Sequence, residues 1–192
     1  MAPEASMLRG SRTQFRARLP ADADLVYRLW SDIETWLLLA TVPFIPLTVE
    51  GVRRRLDSEQ ADGSAPADSL WLIAETVTDP AEPAVIGTAG LWAIDQFNRR
   101  AHVSLVLLPE WRGQGYGTEM LLLLCRYAFS LRDLRRLELE TLERNTAMRS
   151  LAERCGFSVE GRLRQRDYDA GRWSDVIVYG HLAEDLLPDT AS

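Results

Sequence analysis

Three glycines at alternate positions, Gly113, Gly115 and Gly117, lie between a predicted strand and a predicted long helix. A turn of this kind leaves several backbone N–H groups without partners, and the helix that follows adds the positive end of its dipole. Such a group of donors binds phosphate or pyrophosphate. Glycines let the ligand approach the backbone closely because they carry no side chains. Residues 103–119 therefore predict a site for a phosphate-bearing ligand.

The spacing of these glycines excludes two common phosphate-binding motifs. The dinucleotide fingerprint needs a different glycine spacing and an acidic residue about 20 positions further on. A P-loop needs a Gly-Lys-Ser/Thr sequence, which does not follow here. The order Arg112-x-x-Gly115-x-Gly117 instead resembles the loop that holds the pyrophosphate of acyl-CoA in the GNAT superfamily of N-acetyltransferases.

Two further segments extend this resemblance over residues 14–187. Asn145 begins a predicted helix that ends at Gly156-Phe157, as in the second motif of that superfamily. Residues 160–176 are similar to the branch that acetylates the N-termini of ribosomal proteins and to spermidine acetyltransferases. The resemblance implies a single α/β (α+β) domain in which helices flank a mixed, mostly antiparallel, twisted sheet. It also implies an acetyl-CoA-dependent acyltransferase that acts on a primary amine by direct attack.

The sheet of this fold is expected to be splayed beside the phosphate-binding loop. The strand before the loop parts from the strand at residues 136–142, and the cleft between them holds the acyl-CoA. Residues 1–13 are expected to be a disordered leader and residues 188–192 a tail. Alternating and apolar runs predict strands over residues 15–19, 69–76, 84–94, 100–108, 136–142, 157–168 and 173–182, and helices over residues 25–39, 48–60, 115–131 and 145–155.

The composition restricts the classes of partner. The 192 residues carry a net charge of −6, whereas nucleic-acid-binding domains are usually basic. No apolar run reaches the ~18 residues that a membrane-spanning helix needs. Cys125 and Cys155 lie far apart and lack the spacing of metal ligands. We therefore expect a reduced, cytoplasmic protein that binds no metal, no nucleic acid and no membrane.

The resemblance assigns three groups of residues to the acyl-CoA. The backbone of Leu105, Val106 and Leu107 would pair with the pantetheine arm, like an added strand. The N–H of Val106 or Leu107 would also polarise the thioester carbonyl. Asn145 would bind the pantetheine or a bridging water, although an Asn at a helix start is also a common N-cap. The pyrophosphate would lie against Arg112, Gly113, Gln114, Gly115, Tyr116, Gly117 and Thr118.

Two residues are candidates for the general base that deprotonates the amine. Counted from Gly156-Phe157, Asp167 matches a carboxylate that serves as base in the ribosomal-protein branch. His102 lies on the strand before the loop, where many members of the superfamily carry a Glu that activates a water. An imidazole titrates in the useful pH range without tuning, whereas an aspartate needs burial to raise its pKa. The alternatives are a structural histidine and a solvated acid beside a turn.

The residues that commonly protonate the leaving thiolate are missing. Members of the superfamily often carry a tyrosine four residues before the Gly of Gly-Phe, and the ribosomal-protein branch uses a serine eight residues before it. These positions are Ala152 and Met148 here. Tyr168 and Cys155 are the remaining, weaker candidates for a catalytic acid. A second hypothesis is therefore a module that binds acyl-CoA or an acceptor without turnover.

The acceptor groove of the superfamily borders the break between the first two helices. This position favours Trp36 and Phe44 as contacts of the acceptor, with core packing as the alternative. Asp32 and Glu34 could attract a cationic amine to the same place. The acceptor is a protein N-terminus or a small amine such as an amino acid, a polyamine or an antibiotic. Homodimers are frequent in the superfamily, so a homodimer is also expected.

Overall fold

A single sheet organises the part of the chain that the structure describes. The computed structural model describes residues 7–39, 44–61, 68–77, 83–169 and 171–186. Within these ranges the strands are β1 (Thr13–Ala17), β2 (Ser69–Thr76), β3 (Val85–Asp95), β4 (Arg100–Leu107), β5 (Arg136–Leu142), β6 (Ser158–Asp169) and β7 (Arg172–Leu182). Across the sheet they follow the order β1-β2-β3-β4-β5-β7-β6.

Helices cover both faces of this sheet. The helices are α1 (Ala23–Ser31), α2 (Ile33–Leu39), α3 (Val49–Ala61), α4 (Tyr116–Ser130) and α5 (Thr146–Arg154). On one face, α4 buries Met120, Leu121 and Leu124 against the strands, and the core there includes Leu105 of β4. Val106 points to the opposite face because successive strand residues alternate, and it packs against α1. No helix within the described ranges is long and apolar enough to cross a membrane.

The sheet opens between β4 and β5. These two strands run parallel, whereas the other neighbouring pairs are antiparallel. β4 and β5 pair over three residues, and the last rung joins His102 to Glu138. Beyond that rung β4 runs on to Leu107 and β5 to Leu142 without pairing to each other. The predicted mixed, mostly antiparallel and splayed sheet is therefore confirmed.

The predicted helix over residues 25–39 is wrong, because Asp32 divides it into α1 and α2. The backbone of Asp32 is extended, with φ −75° and ψ 106°. Its carboxylate accepts hydrogen bonds from the Glu34 N–H at 3.3 Å and from the Thr35 hydroxyl. An aspartate at this position caps the helix that follows, so α2 begins as a separate element.

The N-terminal residues that the structure describes lie against α4. Residues 1–6 lie outside the described residues, so a disordered leader remains an expectation there. Residues 11–13 instead hydrogen-bond to the Glu119 carboxylate in the first turn of α4. β1 consequently begins at Thr13, two residues before the predicted start. The expected tail at residues 188–192 also lies outside the described residues.

A buried histidine lies near the end of β7. His181 has no exposed surface, and its ring stacks on Phe157 at 4.8 Å between centroids. Its Nδ1 lies 2.9 Å from the carbonyl oxygen of Gly156. Because a carbonyl only accepts, we assign the proton of the neutral ring to Nδ1, and the buried Nε2 has no partner among the described residues. Burial lowers the pKa of His181 below its ordinary value.

We expect the protein to lose stability as the pH falls through the ordinary histidine range. His181 protonates less readily in the folded state than in the unfolded state. Its contribution to stability is therefore complete above about pH 6.5 and is lost below that value, by at most about 1.4 kcal/mol per pH unit. Urea unfolding between about pH 5.5 and about pH 7.5 measures this loss. His181→Phe retains an aromatic ring and should flatten the pH dependence; an unchanged slope would contradict the assignment.

Candidate active site

The glycine loop after β4 presents a row of free backbone donors. Gly113 and Gly115 have φ values of 72° and 87°, in the left-handed region that favours glycine. The N–H groups of Thr118 and Glu119 bond to the Gly115 carbonyl at 3.2 and 3.4 Å. Within the described residues, the backbone N–H groups of residues 113–117 have no acceptor. These donors precede the fifteen-residue helix α4, so the arrangement can bind a pyrophosphate.

The arginine at the first position of the motif turns away from this row of donors. Arg112 Nε donates to the carbonyl oxygen of Leu107 at 3.0 Å. Its Nη2 donates to the hydroxyl of Thr35 at 2.6 Å. Thr35 lies on α2 and is 3% exposed, and its hydroxyl donates a hydrogen bond to the Asp32 carboxylate. Arg112 therefore joins the end of β4 to α2, and its part in pyrophosphate binding remains a prediction.

Two other loop residues make contacts that shape the turn. The Gln114 side chain donates to the carbonyl of Glu110 at 2.7 Å. Tyr116 is buried, with its ring edge-on to Trp111 at 5.3 Å between centroids. The guanidinium of Arg12 lies over the ring of this tyrosine, 4.1 Å from the ring centroid.

The last residues of β4 present backbone groups to the opening of the sheet. Leu108, one residue after β4, donates its N–H to the carbonyl oxygen of Ile86 on β3, at 2.9 Å. Alternate residues of a strand turn their polar groups to opposite edges, so Leu107 and Leu105 turn theirs toward the opening. The carbonyl of Leu107 accordingly accepts from Arg112 rather than from β3. Of the two residues predicted to polarise the thioester, this alternation favours Leu107 over Val106.

Asn145 lies on the other wall of the opening, directly before α5. Its side-chain oxygen accepts from the Met148 N–H at 3.1 Å, so the residue is an N-cap. The side-chain nitrogen has no acceptor among the described residues. The N-cap alternative is thus confirmed. The predicted contact with pantetheine remains a prediction.

His102 occupies the point where β4 and β5 separate. Its Nε2 lies 3.1 Å from a carboxylate oxygen of Glu138, and its ring stacks on Trp92 at 4.3 Å. A carboxylate only accepts, so we assign the proton of the neutral ring to Nε2. Nδ1 is buried and has no partner among the described residues. Glu138 also accepts from Arg136 Nε at 2.8 Å. The ring is therefore held in one orientation and retains one basic nitrogen.

Asp167 and Tyr168 lie on β6, which β7 separates from β5. The Asp167 side chain is 19% exposed, and its carboxylate is 3.8 Å from Arg166 Nε. Tyr168 is 66% exposed and touches Trp173 edge-on. The two residues point to opposite faces of the sheet, because they are adjacent in an extended strand. The structure therefore does not bring His102, Asp167 and Tyr168 to one point.

A buried ion pair next to these residues was not predicted. Asp169 is 3% exposed, and both its carboxylate oxygens accept from Arg144, one of them at 2.6 Å. This contact lowers the pKa of Asp169. Arg144 also donates to the carbonyl of Leu37 on α2 at 3.1 Å. In the sequence, the ion pair is indicated only by an arginine directly before Asn145. The carboxylate that this arginine binds depends on the strand register, which the sequence does not specify.

The two aromatic residues expected at the acceptor groove lie together. Trp36 packs edge-on against Phe44, with 5.8 Å between ring centroids. It also packs edge-on against Trp30 of α1 at 5.5 Å. Residues 40–43 between them lie outside the described residues. Asp32 lies at the start of the same helix, and the hydrogen bond from Thr35 lowers its pKa.

Residues Ala152, Met148 and Cys155 offer no exposed proton donor. Ala152 is fully buried, and Met148 packs against the core. Cys155 is 1% exposed, and burial raises its pKa to about 11. Its thiol lies 3.8 Å from the Thr118 carbonyl oxygen. Cys155 is therefore a core residue that stays protonated at neutral pH.

Comparison with known proteins agrees with this geometry. Residues 12–158 match the family model of the acetyltransferase (GNAT) domain. The chain belongs to the GNAT acetyltransferase family. The predicted family and enzyme class, an acyltransferase, are thus confirmed. This GNAT acetyltransferase is 30% identical over 162 residues to an uncharacterized N-acetyltransferase, p20, of Bacillus licheniformis. That match covers 84% of this chain and 87% of the relative.

A sequence relative and a solved structure, both from Vibrio cholerae, carry more specific names. The GNAT acetyltransferase is 29% identical to a spermidine N(1)-acetyltransferase over 100 residues, which are 52% of this chain and 58% of that enzyme. A crystal structure of spermidine N-acetyltransferase from the same organism, in complex with CoA and spermine, superposes with a TM-score of 0.81. It covers 92% of this chain and 98% of its own at 20% identity, a likeness that concerns the fold.

We expect the two partners of the Arg144–Asp169 pair to differ in the cost of their removal. Arg144→Met leaves a carboxylate buried without its cation, whereas Asp169→Asn leaves a guanidinium that is 35% exposed and can be hydrated. Arg144→Met should lower the free energy of unfolding by about 3 kcal/mol, and Asp169→Asn should lower it by less. Urea unfolding of both variants measures the difference. Equal losses of unfolding free energy in the two variants would contradict the idea that the buried Asp169 carboxylate needs its cation more than Arg144 needs its anion.

Proposed function

We propose that this GNAT acetyltransferase transfers an acetyl group from acetyl-CoA to a primary amine by direct attack. The observation that carries the proposal is the opening between β4 and β5, which leads from the His102–Glu138 rung to the free donors of residues 113–117. The amide groups of a pantetheine arm match the unpaired edge of β4, and its pyrophosphate matches the loop. The acetyl thioester supplies the electrophilic carbonyl at the inner end of this path.

Backbone donors of β4 are proposed to stabilise the negative charge of the transition state. The N–H of Leu107 or Leu105 faces the opening, where a thioester oxygen would lie during attack. Donors fixed in a strand cost no reorganisation when charge develops on that oxygen. The attacking amine must be neutral, since a protonated amine has no free electron pair. A base must therefore receive one proton before or during the attack.

His102 is the base that the geometry favours. It lies on one of the two strands that form the opening, whereas Asp167 lies two strands beyond β5. Glu138 holds the proton on Nε2, so the unprotonated Nδ1 is the acceptor in the ring. We propose that His102 takes the proton of the amine through a water. Solvent then reprotonates the thiolate of CoA, because free thiols are mostly protonated at neutral pH.

The acceptor is proposed to enter on the sheet face that α1 and α2 cover. Trp36 and Phe44 are proposed to line its path. The named relatives support a polyamine acceptor. The charges of this face support an acceptor with a single amine, because arginines already pair with the carboxylates of Glu138 and Glu140. Thiol release from acetyl-CoA with spermidine, with a peptide that has a free N-terminus and with an amino acid distinguishes these classes.

Binding of CoA should depend on Gly115 and not on a glycine elsewhere with the same backbone strain. Gly115→Glu places a strained, negatively charged side chain beside the row of donors, so we expect no CoA binding by calorimetry. Gly171→Glu is the matched control, because its φ of 90° is equally unfavourable and its Cβ meets open space in the β6–β7 turn. CoA binding by Gly115→Glu at the unsubstituted affinity would contradict the proposed site.

Turnover should depend on His102 more than on Asp167. With the best acceptor, His102→Gln should lower kcat/KM by about 10²–10⁴, the usual contribution of a general base. Asp167→Asn and Tyr168→Phe should lower it by less than about tenfold. Steady-state thiol release measures all three variants. A larger loss in Asp167→Asn than in His102→Gln would transfer the role of base to Asp167.

A further inference from the structure

The side chain of Arg12 lies at the glycine loop, although Arg12 precedes Gln114 of that loop by 102 residues in the sequence. Its Nη1 donates to the carbonyl oxygen of Gln114 at 2.9 Å. The same nitrogen lies 3.4 Å from the point that a Cβ of Gly115 would occupy. Its guanidinium carbon lies 4.1 Å from the centroid of the Tyr116 ring. Arg12 therefore touches three consecutive residues of the loop.

The backbone on which Arg12 stands is fixed to the helix that follows the loop. The carboxylate of Glu119 accepts from the N–H of Ser11 at 2.6 Å and from the N–H of Arg12 at 3.0 Å. It also accepts from the hydroxyls of Ser11 and Thr13, at 2.8 and 2.9 Å. These four hydrogen bonds satisfy a charge that would otherwise repel an anion at the start of α4. They also hold Arg12 at a constant position relative to the free N–H groups.

Arg12 adds a second cation beside the loop, which itself carries Arg112. The guanidinium of Arg112 donates to the Leu107 carbonyl and to the Thr35 hydroxyl. Arg12 is an exposed residue, and a guanidinium has five N–H donors. Within the described residues one of these donors, on Nη1, has an acceptor. The guanidinium lies against the loop that carries the N–H groups of residues 113–117, and a guanidinium binds phosphate oxygens with two parallel hydrogen bonds.

We propose that Arg12 is a phosphate ligand of the CoA donor. This inference rests on the proposed function and adds a residue from outside the glycine motif to the binding site. The shared chemistry is a phosphate group, which is either the pyrophosphate or the 3′-phosphate of CoA. Tyr116 orients the guanidinium by stacking, so an arginine suits this position better than a lysine.

Calorimetric titration of CoA into the unsubstituted protein, Arg12→Gln and Arg9→Gln tests the inference. Arg9 is the matched control, since it is an exposed arginine on the same segment that donates to the Gln14 side chain at 3.3 Å and not to the loop. We expect about tenfold weaker CoA binding by Arg12→Gln, as for one lost hydrogen bond to a charged group, and no change for Arg9→Gln. Arg12→Lys should recover part of the loss.

Two further ligands separate a phosphate contact from a structural role. Dephospho-CoA lacks the 3′-phosphate, so a tenfold loss that persists with it assigns Arg12 to the pyrophosphate, and a loss that vanishes assigns it to the 3′-phosphate. S-Acetylpantetheine lacks all phosphates, and Arg12→Gln should leave its kcat/KM unchanged. Equal losses with acetyl-CoA and S-acetylpantetheine would overturn the inference, because Arg12 would then only hold the loop in shape.

If the unsubstituted protein binds no CoA, the proposed function fails and the inference fails with it. Normal CoA binding by Arg12→Gln overturns the inference alone.

Discussion

The candidate site depends on where the parallel pairing of β4 and β5 stops. Up to His102 and Glu138 the two strands satisfy each other's backbone groups. Beyond that rung each strand keeps its antiparallel partner on the outer edge, β3 for β4 and β7 for β5. Their inner edges face each other across the opening. Since backbone N–H and C=O groups need partners, these edges favour an extended, amide-containing ligand.

Two arginines connect the walls of this opening to the same helix. Arg112 reaches Thr35 of α2 from the end of β4, and Arg144 reaches the carbonyl of Leu37 from the loop after β5. α2 therefore spans the opening on one face of the sheet. Its distance from both walls is set by charge-assisted hydrogen bonds, which are stronger and more directional than apolar contacts. The break at Asp32 matters for the same reason, because it places Thr35 in the first turn of a separate helix.

Local patterns were enough to predict most of the fold and the binding loop. The predicted bounds of β2 and β5 agree with the structure, and those of β3, α4 and α5 differ by one residue at each end. Glycine spacing and the N-cap at Asn145 are encoded within a few residues, so the sequence reveals them. The contacts of His102 with Glu138, of Arg144 with Asp169 and of Arg12 with the loop each join distant segments. They depend on strand register and on packing, which a single sequence does not specify.

The absence of lysine from the sequence has a physical counterpart in these contacts. All 22 basic residues are arginines. Arg112 donates to a carbonyl and to a hydroxyl in two directions, and Arg144 divides its donors between a buried carboxylate and a helix carbonyl. A planar guanidinium can do this because its donors are held in a rigid fork, whereas an ammonium acts as one compact charge. Arg→Lys at Arg112 or Arg144 therefore preserves the charge and removes one of the two connections, so it is not a conservative substitution.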